Sequence, residues 1–488
     1  MLEKLAKQTA IYGISTILGR MLGYLLTPFY TRIFGTESYG IITDIYALIP
    51  FALVTLTLGM ESGYFRFAAK AEAAGGNVAE AKRRLFTTMW GITSLVAAIF
   101  FALVAIFRLP ISEAMGSDYV AHPEFVVIVA AIVAFDVMSA IPFSRLREQG
   151  RALTFVALRL GNVALQVALA VVFWAMGLFN TEFGVGWALV ANLVASGAMW
   201  LAVVAIGKAL PRISWVMLGA LFAYSLPLLL SGIAGTAGEF LDRQLIKYLV
   251  PEGAMSQLGI YGAITKIAVV MTLFTQMYRL AAEPFFLSNF RKEEFVEMNA
   301  AAMKYYILVS MGIFLGIALF RDAFALIVGS SFRQGIFILP IVLGANILSG
   351  VWLNLSFWYK REDKTRYALW VTLSGVVASV VAGFILIPRW GYYGAAWSRF
   401  VAEVVMVAVS VTLNRIYYPT PYEVRRIGEY VVIGLTIFFA AETLPIDNDV
   451  WRYTVNGLLF ALYALYAIKR EKIDLRRMVG SMIKRNKR

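Results

Sequence analysis

The chain has 488 residues, of which 60% are apolar and 15% charged, with 44 Lys+Arg against 30 Asp+Glu. A soluble protein of this length carries roughly a quarter of its residues as charges to cover its domains, so that class is excluded, together with disordered and low-complexity chains. Zero Cys excludes disulfides, zinc–thiolate sites and iron–sulfur clusters, and the single His122 excludes a multi-His metal site.

What remains is a polytopic membrane protein. A spanning helix needs about 20 predominantly apolar residues. Fourteen segments qualify, near 9–31, 40–61, 85–107, 125–144, 152–177, 185–207, 215–239, 258–280, 304–328, 335–358, 367–388, 393–413, 427–445 and 451–468. The first is too long for a signal-peptide core and lacks a small-residue cleavage site, so it reads as a retained helix. The expected fold is an all-α integral membrane protein with a lobe over 1–207, a second over 208–414, a helix pair over 415–468 and a basic tail over 469–488. In that tail Ile473, Met478, Val479, Met482 and Ile483 share one helical face. The pattern fits a helix on an anionic leaflet or a solvated tail.

Lys and Arg set the orientation. One set of loops and termini holds 31 of them, including Arg66, Lys82, Arg145, Arg151 and Lys360, whereas the opposite set holds eight, including Arg32, Arg243, Lys247 and Arg389. Both termini are therefore expected in the cytoplasm, with an even number of spans. The asymmetry accounts for the basic balance without nucleic acid, since no soluble basic face exists. The extramembrane loops are short, which shifts weight towards transport and away from the non-transport alternative, a membrane glycosyltransferase, which usually needs a sizeable extramembrane catalytic region.

Span five opens with Arg151-Ala-Leu-Thr-Phe155-Val156-Ala-Leu158, and span eleven with Arg366-Tyr-Ala-Leu-Trp370-Val371-Thr-Leu373, an offset of 215. Six spans separate the copies, so they share orientation. The pattern predicts a parallel repeat of six helices, a plan known among transporters.

A charge at the bilayer centre costs about 2.5–3.5 kcal/mol on the insertion scale, so such residues tend to face a cavity or a partner. The cations within spans are Arg20, Arg159, Lys266, Arg279 and Arg399; the acids are Asp44, Asp136 and Glu403, with Glu239 near a span end. Asn162 and Gln166 lie near the side of span five that carries Arg159. The surplus of cations suits an anionic substrate group, above all phosphate or pyrophosphate, to which Arg presents a planar fork. Arg399 and Glu403, spaced i,i+4, also fit simple mutual neutralisation, and Arg279 also fits snorkelling to the interface. Arg20 and Lys266 have no partner at helical spacing and read as cavity residues. Gly19-Arg-Met-Leu-Gly23 and Gly312-Ile-Phe-Leu-Gly316 match the close-packing pattern GxxxG and are expected to set helix contacts. There is no Walker A motif, so no ATPase is expected in this chain.

In chain order, Leu26-Thr27-Pro28-Phe29-Tyr30-Thr31-Arg32-Ile33-Phe34-Gly35-Thr36-Glu37-Ser38-Tyr39-Gly40 resembles the first hairpin of polysaccharide-biosynthesis flippases. These are the Wzx-type members of the multidrug/oligosaccharidyl-lipid/polysaccharide exporter superfamily. Gly59-Met60-Glu61-Ser62-Gly63-Tyr64-Phe65-Arg66-Phe67 is similar to the end of that family's second helix. Gly259-Ile260-Tyr261-Gly262 with Lys266-Ile267 is similar to the start of its eighth helix, and Gly391-Tyr392-Tyr393-Gly394-Ala395-Ala396 to the start of its twelfth.

The resemblance implies two six-helix bundles in a V around a central cavity. It implies transfer of an isoprenoid-(pyro)phosphate-linked oligosaccharide from the cytoplasmic to the outer leaflet by alternating access, in a bacterial cytoplasmic membrane. Fourteen spans also resemble the lipid II flippase branch, whose last two helices line a groove for the lipid tail. On this reading Arg20, Arg159, Lys266 and Arg399 bind substrate. Asp136 and Glu403, with Asp44 and Arg279, are coupling or cavity residues or structural partners. No cofactor is expected; a proton or sodium gradient, or the membrane potential, drives movement. The expected partners are the lipid-linked saccharide, membrane lipids and polysaccharide assembly enzymes, with the chain a monomer. A multidrug/cation antiporter of the same superfamily is the alternative, but its cavity should be acidic or neutral.

Topology is directly testable. A reporter fused at Val250 should read as external and one at Asp363 as cytoplasmic; the reverse at both sites would overturn the orientation.

Overall fold

The computed structural model describes residues 24–207, 209–289, 294–362, 364 and 366–472. The fold is all-helical, and no strand occurs among the described residues. Arg20, the Gly19–Gly23 motif and the tail from 473 onward lie outside them.

Helix α1 covers 24–33, followed by α2 (Thr36–Leu56), α3 (Met60–Ala74), α4 (Val78–Ile106), and the short α5 (Arg108–Met115) and α6 (Ser117–Val120). Then come α7 (Glu124–Glu148), α8 (Ala152–Ala175), α9 (Gly186–Gly207), α10 (Trp215–Leu249), α11 (Ala254–Ile267) and α12 (Val269–Asn289). The remainder is α13 (Phe295–Ala318), α14 (Arg321–Ala325), α15 (Leu339–Leu355), α16 (Phe357–Arg361), α17 (Arg366–Trp390), α18 (Tyr392–Tyr417), α19 (Val424–Thr443) and α20 (Asp449–Arg470).

Among the described residues ten helical segments are long and apolar enough to cross a membrane, or eleven if the pair Ala254–Ile267 and Val269–Ala282, bent by 51°, is one span. The chain is thus a multi-pass membrane protein. In α8 only 11% of the apolar window is buried, and Leu153 and Trp174 are exposed. Such faces are stable against lipid, not water. The sequence expects fourteen spans. The first lies mostly outside the described residues. Helices α19 and α20 form, but charges at their ends, such as Arg425, Arg426 and Arg452, keep them out of the apolar set.

The chain divides into two compact units. The first comprises residues 1–266, 328–332 and 376–398, and the second 267–327, 333–375 and 399–488.

In the first unit, Met60, Tyr64, Phe86, Trp90, Ile141 and Leu221 form a core, and the Trp90 indole donates to the Met138 carbonyl at 2.9 Å. At the end away from the basic loops, α2 and α11 touch backbone to backbone. A Cβ on Gly40 would run into the Met255 carbonyl, and one on Gly259 into that of Thr36. Thr36 and Ser256 share a 2.7 Å hydrogen bond across the same contact.

In the second unit, α13 is the hub. Gly312 and Gly316 pack against Tyr463 and Phe460 of α20, so this GxxxG motif sets a helix contact as expected. Tyr463 donates to the Leu308 carbonyl at 3.0 Å, and Asn456 to that of Leu319 at 2.6 Å. At the basic-loop end Lys304, its side chain only 7% exposed, pairs with Glu423 at 2.8 Å and with the enclosed Glu471 at 3.3 Å. Glu471 also receives Tyr430 and lies 3.8 Å from Arg426. These contacts fasten α19 and α20 to α13.

Removing one member of a buried ion pair costs about 3–5 kcal/mol, and Lys304 retains Glu423. Glu471→Ala is therefore expected to destabilise by about 2–3 kcal/mol, read as a lower thermal unfolding midpoint in detergent. Glu429→Ala, which breaks a partly exposed pair with Arg470, should shift it far less.

Candidate functional site

Arg159 lies on α8, about 10 Å along the helix from its start near the basic loop. Its guanidinium stands 4.2 Å from the ring centre of Phe143 and 5.8 Å from that of Phe155. Arg147 approaches the same Phe155 ring at 5.8 Å and that of Phe65 at 5.1 Å, while donating to Glu61 at 3.1 Å. Two guanidinium groups thus approach one aromatic ring. Asp136 of α7 is an electrostatic neighbour of Arg159 and of Ser196 of α9. Arg159 itself is exposed, whereas Asp136 is half-buried and Ser196 buried. Stacking on rings contributes about 0.5–1 kcal/mol at exposed sites and leaves the N–H edge open to an anion.

Asn162 and Gln166 follow Arg159 at i+3 and i+7, on the same helix face. The Gln166 amide donates to the Tyr46 hydroxyl at 3.0 Å. Tyr46 in turn is one wall of the Lys266 site. The Lys266 ammonium donates to the Tyr39 hydroxyl at 3.0 Å and lies 5.3 and 5.9 Å from the rings of Tyr39 and Tyr46. The first unit therefore carries a polar line from Arg159 through Asn162, Gln166 and Tyr46 to Lys266, on α8, α2 and α11.

Asp44 is placed differently. It is fully enclosed, about 12 Å into α2. Its carboxylate takes Lys247 of α10 at 2.5 Å, the Tyr119 hydroxyl at 2.7 Å and the Gln244 amide at 2.7 Å. Lys247 is only 4% exposed at its side chain and also lies over the Tyr119 ring at 4.7 Å.

Arg399 and Glu403 belong to the second unit. Arg399 donates to the Asn346 amide oxygen at 3.4 Å, and the Trp352 indole donates to Glu403 at 3.0 Å. Arg279 of α12 is exposed.

Comparison with known proteins gives these contacts a context. Residues 5–290 match the family described as polysaccharide biosynthesis protein. The chain belongs to that family. It is also 22% identical over 473 residues, 94% of each chain, to a Haloferax volcanii protein named "Probable low-salt glycan biosynthesis flippase Agl15". Its fold is similar to that of the lipid II flippase MurJ in an inward closed conformation, with a TM-score of 0.73 at 12% identity over 95% of this chain and 100% of that one. An inward-facing multidrug transporter of the MATE family aligns with a TM-score of 0.66 at 15% identity, covering 84% and 94%.

In this member of the polysaccharide biosynthesis family, the motifs that carry the resemblance are places of close approach. Gly40, Gly259 and Gly262 form the α2–α11 contact, where any side chain meets backbone or Thr43. Gly391, at φ +56°, sits against the Gln257 side chain, whose oxygen accepts from the Tyr392 amide at 3.0 Å. Sequence reading missed Lys247, Tyr119 and Gln244. Tyr119 lies in a four-residue helix without periodic signal, and Lys247 looks like an ordinary charge at a span end. It also missed Asp242, which is 4% exposed and accepts from Ser379 at 3.3 Å and Tyr261 at 3.4 Å. Its one signal is a carboxylate five residues before Lys247 in the polar final stretch of a long apolar helix.

The Asp44 assembly is open to test. Asp44→Asn leaves Lys247 buried without a countercharge, expected to cost about 3–5 kcal/mol. The double variant Asp44→Leu with Lys247→Met removes both charges and should recover most of that loss in thermal unfolding and folded yield. A single variant as stable as the parent would show that water solvates the pair.

Proposed function

We propose that this protein is a flippase that moves an isoprenoid-(pyro)phosphate-linked oligosaccharide from the cytoplasmic to the outer leaflet by alternating access. The observation that carries the reading is Arg159 against the Phe143 and Phe155 rings, together with Lys266 against Tyr39 and Tyr46: cations at membrane depth held by rings and a hydroxyl, so their charge stays available to an anion. Membership of a polysaccharide biosynthesis family and likeness to a glycan flippase point to the same substrate class. In the full reading Arg20, Arg159, Lys266 and Arg399 bind the pyrophosphate. Fourteen spans, two six-helix lobes with a terminal pair, and both termini in the cytoplasm complete the plan. The glycine contacts and the Asp44 assembly lie at what is then the external end.

Asp136 and Glu403 are the candidates for proton or sodium coupling. The membrane potential contributes about 2.3 kcal/mol per charge per 100 mV. The working form is a monomer acting beside polysaccharide assembly enzymes. A lipid II substrate is the second reading, favoured by the fold likeness to MurJ over that protein's full length. The surplus of intramembrane cations disfavours a cation antiporter.

The test is leaflet transfer of a fluorescent undecaprenyl-pyrophosphate oligosaccharide in proteoliposomes, with lipid II in parallel. Arg159→Ala and Lys266→Ala should each reduce transfer at least tenfold while the protein stays folded. Lys266→Arg should retain part of the activity. Parental transfer rates in both Ala variants would refute the anion site.

A further inference from the structure

At the basic-loop end of the first unit, a pocket of 240 Å³ opens among α4, α7, α8 and α9. Phe86, Pro142, Leu146, Val203 and Ile206 give it an apolar side, and Gln149 and the Gly207 backbone add polar groups. Two arginines, Arg145 and Arg151, also line it, and no carboxylate does. The Arg145 guanidinium lies 4.3 Å from the Phe86 ring centre and donates one hydrogen bond, 3.1 Å long, to the Gly207 carbonyl. That contact fixes its plane and leaves further N–H donors available. Arg151 is exposed and precedes the first turn of α8, whose N-terminal amides add to the positive potential at that end.

The nearby acids are already engaged. Glu148 binds Lys82 at 2.8 Å, and Glu61 binds Arg147 at 3.1 Å. Among the described residues neither Arg145 nor Arg151 pairs with a carboxylate. Arg145 and Arg147, two positions apart, face different sides of α7. The first serves this pocket, whereas the second stacks on Phe65 and Phe155. The pocket is lined by neither Arg159 nor Arg147, although Leu146 and Val203 pack in one cluster with the Phe143 and Phe155 rings that carry Arg159. Leu153 of α8 and Leu201 of α9, 77% and 61% exposed, belong to the outward, lipid-facing sides of these helices.

A pocket that combines an apolar side with two arginines, at the basic-loop end of membrane-spanning helices, matches one ligand class. We infer that this pocket holds the phosphate headgroup of an anionic phospholipid, with Arg145 and Arg151 on the phosphate oxygens and Phe86, Leu146, Val203 and Ile206 against the glycerol and upper acyl chain. A bidentate guanidinium contact suits a phosphodiester, and the apolar wall selects the acylated form over free phosphate. The site does not depend on which lipid-linked sugar the protein carries.

The test is lipid binding to the full chain purified in detergent, read by native mass spectrometry and thermal shift. Dioleoyl phosphatidylglycerol should bind and stabilise, whereas dioleoyl phosphatidylcholine should not compete. Glycerol 3-phosphate and inorganic phosphate should bind at least tenfold more weakly. Arg151→Gln, at an exposed position, should weaken phosphatidylglycerol binding at least threefold, and Arg145→Gln with Arg151→Gln at least tenfold. Arg145→Lys should retain part of it. Arg84→Gln, at the same end but outside the pocket and 67% exposed, should leave binding unchanged. Three results would overturn the inference: parental affinity in Arg151→Gln and in the double variant, equal loss in Arg84→Gln (which would show general leaflet attraction), or inorganic phosphate binding as tightly as the lipid.

Discussion

A fully enclosed carboxylate, Asp44, holds the first unit together where α2, α6 and α10 meet. Burying a carboxylate is tolerable only when opposite charge and hydrogen bonds replace water. Lys247 supplies the charge, and Tyr119 and Gln244 the remaining donors. The carboxylate must therefore keep three partners from two other helices in register. The backbone contact of α2 with α11 depends on that register. Gly40 and Gly259 approach so closely that a shift of one residue would place side chains where only glycine fits.

The other charges at membrane depth in this unit are handled by a different principle. Arg159 and Lys266 rest on aromatic rings, a hydroxyl and one neighbouring acid instead of in closed ion pairs. A closed pair such as Asp44–Lys247 consumes its charge, whereas a cation against rings keeps an open edge. The contrast separates residues suited to holding the fold from residues suited to meeting an anion. The sorting follows from partners alone, since both kinds sit on equally apolar helices.

The second unit uses its polar groups mainly for assembly. Lys304, Glu423 and Glu471 fasten the last two helices at one end, and Asn456 and Tyr463 cap α13 carbonyls farther along. These helices are less apolar than the rest, so lipid solvation alone would hold them weakly. The hydrogen bonds and GxxxG contacts to α13 compensate.

Much of this was legible in the residues themselves. Hydropathy specifies a multi-pass helical protein, because in lipid every backbone group must bond within its own helix. Glycine-bearing motifs carry the family resemblance, and at Gly40, Gly259 and Gly394 close backbone approach leaves no room for a side chain. Arg159, Lys266 and Arg399 stand out in sequence as charges in apolar runs. Their partners do not: Lys266 meets Tyr39 across 227 positions, and Asp44 meets Lys247 across 203. Helical periodicity reports neighbours at three and four residues, so it is silent about contacts of that range. It likewise gave Asp44 and Asp136 the same description, an acid within a span. Only the tertiary structure, by bringing a lysine, a tyrosine and a glutamine to one and an exposed arginine to the other, decided that the first is an enclosed structural charge and the second borders an open cationic site.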